Sequence, residues 1–255
     1  IDGGLYSLGY SSDQFCYDIE LPEHKVYLND YKIDVYPITN RQYIEFIEDG
    51  GYADFHYWLS DGWEKIENEG WNAPMYWEKV DGQWMTCDFL GRRKINPNEP
   101  VCHVSFYEAD AYCKWAGKRL PTEAEWEKAA CWNEKSQSKS IFPWGNESPD
   151  IRHANLLESY LWNCTEVGAY PEGKSHYGCH QMIGDVWEWT SSEFTGYPGF
   201  KTGFSEYNDK WFANQKVLRG GSFGTPSSSI RSSYRNFFRL DERWLFSGFR
   251  CVEDI

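Results

Sequence analysis

Three helix starts are written plainly in this chain, and the stretches between them carry no lasting period. Those two facts constrain the fold more than anything else in the sequence. A side-chain cap followed three residues later by Glu or Gln satisfies two orphan backbone donors at once. Thr39 with Gln42, Ser105 with Glu108 and Thr122 with Glu125 all have this form. The first opens a segment that buries Tyr43, Phe46 and Ile47 and closes at Gly50-Gly51. The second carries Ala109, Tyr112, Trp115 and Ala116 and stops at Gly117, and the third follows Pro121 and sets Trp126, Ala129 and Ala130 on one face. Strand-like runs lie at 26–28, 31–35, 217–219 and 249–252. Residues 51–100 and 142–212 are rich in Gly, Pro, Asn and Trp and read as long ordered loops pinned by aromatic anchors, the kind of segment that carries function. No repeat or linker divides the chain. The expected class is α+β, one domain over residues 1–255 with little regular structure.

Aromatic residues make up 18% of the chain and hydrophobic residues only 41%, so the core has to be aromatic more than aliphatic. That composition excludes disorder, and no apolar run reaches the ~18 residues of a membrane span. With a net charge of −14, the chain repels phosphate backbones, and its densest basic run, Arg92-Arg93-Lys94, forms no stripe. Nucleic acid and membrane are therefore not expected partners. The first residue is Ile1 and no signal peptide is visible, so the expected setting is cytoplasmic.

Self-contained catalytic motifs are absent: there is no G-x-S-x-G elbow, no phosphate loop and no C-x-x-C pair among the eight cysteines. The six histidines are scattered, and the only close pair, His176 and His180, flanks Gly178 in a loop-like segment. Glu188, within Gly184-Asp185-Val186-Trp187-Glu188-Trp189, reads as buried and needs a cation: either calcium shared with backbone carbonyls or an arginine. The densest constellation alternates Arg219, Arg231, Arg235, Arg239, Arg243 and Arg250 with Tyr234, Phe237, Phe238, Trp244, Phe246 and Phe249. Guanidinium planes stack on rings and grip carboxylates. The pattern suits a core of Arg–aromatic stacks and equally the floor of a pocket for an amino-acid-like ligand.

Five ordered segments carry a resemblance. They are Arg119-Leu120-Pro121-Thr122-Glu123-Ala124-Glu125-Trp126-Glu127, Phe142-Pro143-Trp144-Gly145, Gly184-Asp185-Val186-Trp187-Glu188-Trp189, Leu218-Arg219-Gly220-Gly221-Ser222 and Gly248-Phe249-Arg250. In this order they resemble the formylglycine-generating-enzyme-like superfamily, which implies a variant of the C-type lectin fold. Formylglycine generators carry a redox cysteine pair between the last two motifs, whereas residues 222–249 contain no cysteine. Asp49-Gly50-Gly51-Tyr52, Trp58-Leu59-Ser60-Asp61-Gly62-Trp63, Pro100-Val101-Cys102-His103-Val104-Ser105 and Tyr234-Arg235-Asn236-Phe237-Phe238 instead resemble the C-terminal domain of ergothioneine-biosynthesis sulfoxide synthases.

That resemblance implies an oxidoreductase joining a cysteine-type thiol to trimethylhistidine (hercynine) with iron(II) and O2. The iron would sit on an N-terminal helical domain, in cis or in trans, and no iron ligand is expected in this chain. Asn236 and Phe237 match positions that contact trimethylhistidine, with Tyr234, Arg235 and Trp244 as further candidate lining residues. Phe238 stands where one branch of the family has a substrate-binding aspartate, which implies free cysteine or another thiol rather than γ-glutamyl-cysteine. Tyr207 is the candidate proton donor. By superfamily analogy Glu188, with the carbonyls of Gly184 and Val186, matches a calcium site. A ligand-binding module on the same scaffold and a formylglycine-generating oxidase are the alternative readings.

Overall fold

The computed structural model describes residues 1–10, 13–204 and 208–255. In chain order the strands and helices are β1 (Gly4–Leu8), β2 (His24–Leu28), β3 (Tyr31–Ile33), α1 (Asn40–Glu48), α2 (Ser60–Glu69), β4 (Trp77–Val80), β5 (Gln83–Asp88) and β6 (Gly91–Lys94). There follow α3 (Phe106–Trp115), α4 (Glu123–Cys131), β7 (Trp132–Asn133), β8 (Ser138–Lys139), β9 (Trp187–Glu193), β10 (Lys216–Arg219), β11 (Asn236–Phe238), β12 (Ser247–Gly248) and β13 (Val252–Asp254). A four-stranded sheet in the order β11-β10-β9-β12 forms the centre, with β12 parallel to β9 and the other pairs antiparallel. Around it lie the pairs β1-β2 and β13-β3, the meander β4-β5-β6 and the short β7-β8 ribbon.

All three predicted capping boxes close reciprocally at the starts of α1, α3 and α4. At α3, for instance, the Glu108 N–H donates to Ser105 Oγ at 3.2 Å and the Ser105 N–H donates to Glu108 Oε2 at 2.8 Å. The reading of 51–100 as loop is corrected, since it holds α2 and three strands. The α2 helix follows Leu59, an N-cap with no side-chain hydrogen bond, and its interior Gly62 breaks the apolar pattern. That glycine is there for space, because a Cβ on it would fall 2.8 Å from the Tyr107 ring. β9 likewise emerges inside the second predicted loop, and the last strand starts at Val252 rather than earlier.

The largest core cluster packs α1 and α3 against the central sheet through rings: Tyr43, Phe46, Tyr112, Trp189 and Phe249 are all enclosed. Tyr43 stacks on Tyr112 with centroids 5.6 Å apart, and Phe249 meets both edge-on. The C-terminal arginines thread between such clusters and end on buried carboxylates. Arg250 places Nε and Nη2 on the two oxygens of Glu188, each at 2.7 Å, and Trp126 Nε1 donates to Oε2 at 2.7 Å. Arg219 reaches Glu127 at 2.9 Å, Arg235 grips Glu123 at 2.9 and 3.1 Å, Arg243 grips Glu108 at 2.9 and 3.0 Å, and Arg231 holds Glu20. Of the two roles open to the arginine–aromatic constellation, the structural one therefore takes five of its six arginines.

Removing one member of such a pair strands a buried charge, which costs about 3–5 kcal/mol. Glu188→Ala should lower the unfolding free energy by about that amount in urea titration, and Glu188→Gln, which keeps an acceptor for Trp126, by less. Burial pushes the Glu127 carboxyl up, but Lys139 and Arg219 outweigh it and hold it below the ordinary value. The sign follows: a carboxyl lowered in the fold contributes stability that is present above its unfolded value and lost as pH falls through the folded one. Stability measured by tryptophan fluorescence should fall below about pH 4, and less steeply in Glu127→Gln.

Candidate active site

Strand β11 is the edge of the central sheet, and side chains alternate across it. Asn236 and Phe238 sit opposite Leu218 and Lys216 of β10 and share the face turned to the largest core cluster, whereas Phe237 points to the other side. Phe237 stacks on Phe194 with centroids 3.8 Å apart and planes at 8°, and Trp211 lies 6.4 Å away. Asn236 is half-buried and its Oδ1 accepts the Phe237 N–H at 2.9 Å. Phe238 meets the exposed Trp244 edge-on at 5.5 Å.

The six residues expected to bind substrate do not converge. Arg235 is corrected to a core residue: it is enclosed, its guanidinium donates to Glu123 and to the carbonyls of Ile19 and Thr195, and its plane lies 4.1 Å from the Tyr197 ring centroid. Tyr234 also faces inward, packed on Tyr17 and Trp187 beside Arg231. Phe237 is separated from Asn236 and Phe238 by the pleat. Tyr207 lies outside the described residues.

A cleft of about 860 Å³ opens where β10 begins and β11 ends. Its walls are α2 with Asp61, Glu64 and Lys65, the Tyr107 ring, Trp211, and the segment Arg239-Leu240-Asp241 that follows directly on Phe238. Lys65 bridges Glu69 at 2.9 Å and Asp241 at 2.8 Å, and these hydrogen bonds raise its pKa. Burial, then Asp61 and Asp241, push the Tyr107 hydroxyl up, so it stays protonated. Unlike the five buried arginines, Arg239 is exposed and makes no ion pair among the described residues. Carboxylates, one uncommitted guanidinium and an exposed indole can hold a small ligand that carries charges of both signs. Sequence reasoning missed this wall because α2 was not recognised. The signals available were that Asp61 lies in the Trp58–Trp63 motif and that Arg239 and Asp241 directly follow Asn236-Phe237-Phe238.

The calcium site at Glu188 with the Gly184 and Val186 carbonyls is corrected: the Arg250 guanidinium occupies both carboxylate oxygens, the Gly184 carbonyl accepts the Val186 N–H at 2.8 Å, and a divalent ion there would meet like charge. The histidines have separate surroundings. His24 lies on Tyr197, His56 on Asp54, His153 on Trp144, His176 by Asn133 and His180 on Tyr36. Among the described residues no three His, Cys, Asp or Glu side chains gather as metal ligands, so this set does not fit an iron centre.

Residues 1–255 match the sulfatase-modifying factor enzyme 1-like domain. The chain belongs to that family. Among relatives, the hercynine oxygenase of Mycobacterium tuberculosis is 41% identical over 248 residues, covering 96% of this chain and 58% of its own length. The hercynine oxygenase of Mycolicibacterium smegmatis is 40% identical, covering 100% and 60% respectively. This sulfatase-modifying factor domain thus spans less than two thirds of those relatives. The formylglycine-generating enzyme of Thermomonospora curvata is 32% identical over all of this chain and 92% of its own. In structure the domain is similar to PvdO from Pseudomonas aeruginosa, with a TM-score of 0.67 and 20% identity over 100% of this chain and 93% of that one. Treponema denticola variable protein 1 aligns with a TM-score of 0.68 and 19% identity over 99% and 92%. The fold is the lectin-like formylglycine-generating-enzyme variant that the sequence motifs imply. No helix of the described residues is long and apolar enough to cross a membrane.

If Arg250 is the counter-ion of Glu188, millimolar calcium and an excess of chelator should leave the melting temperature of this domain unchanged within about a degree. A ligand bound only by the folded state would raise it with concentration.

Proposed function

We propose that this domain supplies the substrate-holding half of an oxygenase that joins a cysteine-type thiol to trimethylhistidine, the reaction of an ergothioneine-type sulfoxide synthase. The identity of about 40% to hercynine oxygenases across the whole chain carries this reading. In it, Asn236 orients trimethylhistidine at the edge of β11, the carboxylates and Trp211 of the adjacent cleft favour its quaternary ammonium, and Arg239 takes its carboxylate. Phe238, apolar at the position of a family aspartate, favours free cysteine over a γ-glutamyl thiol. Tyr207 is the proton donor in this scheme.

The redox chemistry belongs to an iron(II) centre held by a helical domain that joins this one in cis or in trans. What these residues contribute is binding, orientation and exclusion of water at the cleft. Formylglycine generation is the weaker reading, because residues 222–249 offer no cysteine pair.

Calorimetric titration of residues 1–255 with trimethylhistidine should show binding. Arg239→Gln and Asn236→Ala should each weaken it about tenfold, or about 1.4 kcal/mol, the loss of one hydrogen bond to a charged or polar ligand group. With iron(II), cysteine and trimethylhistidine the same protein should consume no oxygen. Full turnover by this chain alone, or unchanged affinity in both variants, would sink the assignment.

A further inference from the structure

A second chemical constellation lies apart from the cleft and is unused by the proposed oxygenase role. Cys102 stands just before the capped start of α3, and Cys164 comes from the long connection before β9. The fold packs both against Val186, Phe223 and Phe246. They line a small cavity of about 40 Å³ together with His103, Arg93 and Glu99. Next to it opens a wider pocket of about 390 Å³, walled by Tyr76, Phe89, Phe223, Trp244 and Phe246. The two cavities share His103, Asp88 and Phe223, so the thiols sit behind the floor of an aromatic pocket open to solvent.

Backbone strain marks the same place. His103 has φ +66° and Tyr76 has φ +69°, conformations that cost a residue bearing a side chain about 1–2 kcal/mol and that cluster at functional sites. The two rings meet edge-on at 4.9 Å, and the Met75 N–H donates to the His103 carbonyl at 3.1 Å. His103 lines the same small cavity as both thiols.

The electrostatics divide the two sulfurs. Burial pushes the Cys102 thiol up, but the hydrogen bond from Cys164 and the charge of His103 outweigh it and bring it well below its ordinary value. That same hydrogen bond, followed by burial, drives Cys164 the other way. Burial works against the His103 imidazolium, and Cys102 with the backbone of Trp244 and Arg243 more than offsets it. The remaining charges facing the cavity largely settle among themselves, since Arg93 pairs with Asp88 at 2.6 Å and with Glu99 at 2.9 Å. The two sulfurs are thus pushed in opposite directions, which is the division that attacking and resolving thiols need. The Cys113–Cys251 pair, with sulfurs 3.1 Å apart, differs in that both residues are fully enclosed in the core.

We propose that Cys102 and Cys164 form a dithiol site that reduces small disulfides bearing apolar or aromatic groups, admitted through the aromatic pocket. The Cys102 thiolate attacks one sulfur of the ligand disulfide, forming a mixed disulfide and expelling one thiolate. Cys164 then gives up its proton and attacks the Cys102 sulfur, forming the internal disulfide and releasing the second thiol. Two protein thiols are oxidised to one disulfide as the ligand disulfide is reduced to two thiols.

The probe is 4,4′-dithiodipyridine at about pH 6, where an ordinary thiol is under about 1% ionised. Released thiopyridone is followed by absorbance and the modified peptides by mass spectrometry. Cys102 should react roughly tenfold or more faster than Cys87, which is exposed and lines the aromatic pocket. The fast phase should release two thiopyridones per chain and yield a Cys102–Cys164 disulfide. In Cys164→Ser the fast phase should release one, with the mixed disulfide trapped on Cys102. In Cys102→Ser it should vanish. Faster labelling of Cys87 in the unaltered protein, or a Cys164→Ser variant in which Cys102 is not the first residue labelled, would overturn the proposal. Neither result depends on whether the protein binds trimethylhistidine.

Discussion

Every guanidinium that enters the interior of this protein has to find a carboxylate there. Transfer of a charge from water into packed protein costs several kcal/mol unless an opposite charge and hydrogen bonds replace its hydration. Arg219, Arg231, Arg235, Arg243 and Arg250 all come from the last quarter of the chain, while their partners Glu127, Glu20, Glu123, Glu108 and Glu188 lie upstream. Each pair fixes a long-range contact that apolar packing alone would leave free to slide. Aromatic rings then cover the pairs, as Tyr197 covers Arg235 and Trp71 covers Arg243. A domain with four short helices and many two-stranded ribbons among its described residues holds long connections in place by this means.

The same network places the sites at its margin. Arg235 is committed to the interior, Asn236 and Phe238 are half-buried along the edge of β11, and the following Arg239 is exposed. The cleft is polar because the interior has already used the apolar rings and the strongest pairs, leaving Lys65, Arg239, Asp61 and Asp241 on its walls. Trp244, which meets Phe238 edge-on, also walls the aromatic pocket next to the two thiols. Substrate holding and thiol chemistry therefore border one segment, residues 236–246, without sharing a reacting group.

Much of the scaffold was legible before any coordinates. The three capping boxes are local, each satisfied within four residues, so sequence spacing is enough to reveal them. The lectin-like fold was legible through ordered motifs, whose glycines and acids turn out to be structural: Gly220 faces the Met182 carbonyl too closely for any Cβ, and Glu188 is the counter-ion of Arg250. The α2 helix escaped because it has no side-chain cap and its interior glycine serves a contact with Tyr107, a residue 45 positions away in sequence. Asn236, Phe237 and Phe238 read as one patch in the sequence, and only the pleat of an edge strand separates them.

The sequence by itself determined where three of the helices begin, that the core would be aromatic, and which family the chain resembles, because these depend on composition and short-range spacing. Only the tertiary structure decided which arginine is buried and which faces the cleft, that Glu188 takes a guanidinium, and that Cys102 meets Cys164 across 62 residues. Those outcomes turn on desolvation and on long-range chain crossings. Identical residue types at identical spacing end up with opposite roles according to whether a carboxylate arrives from elsewhere in the fold.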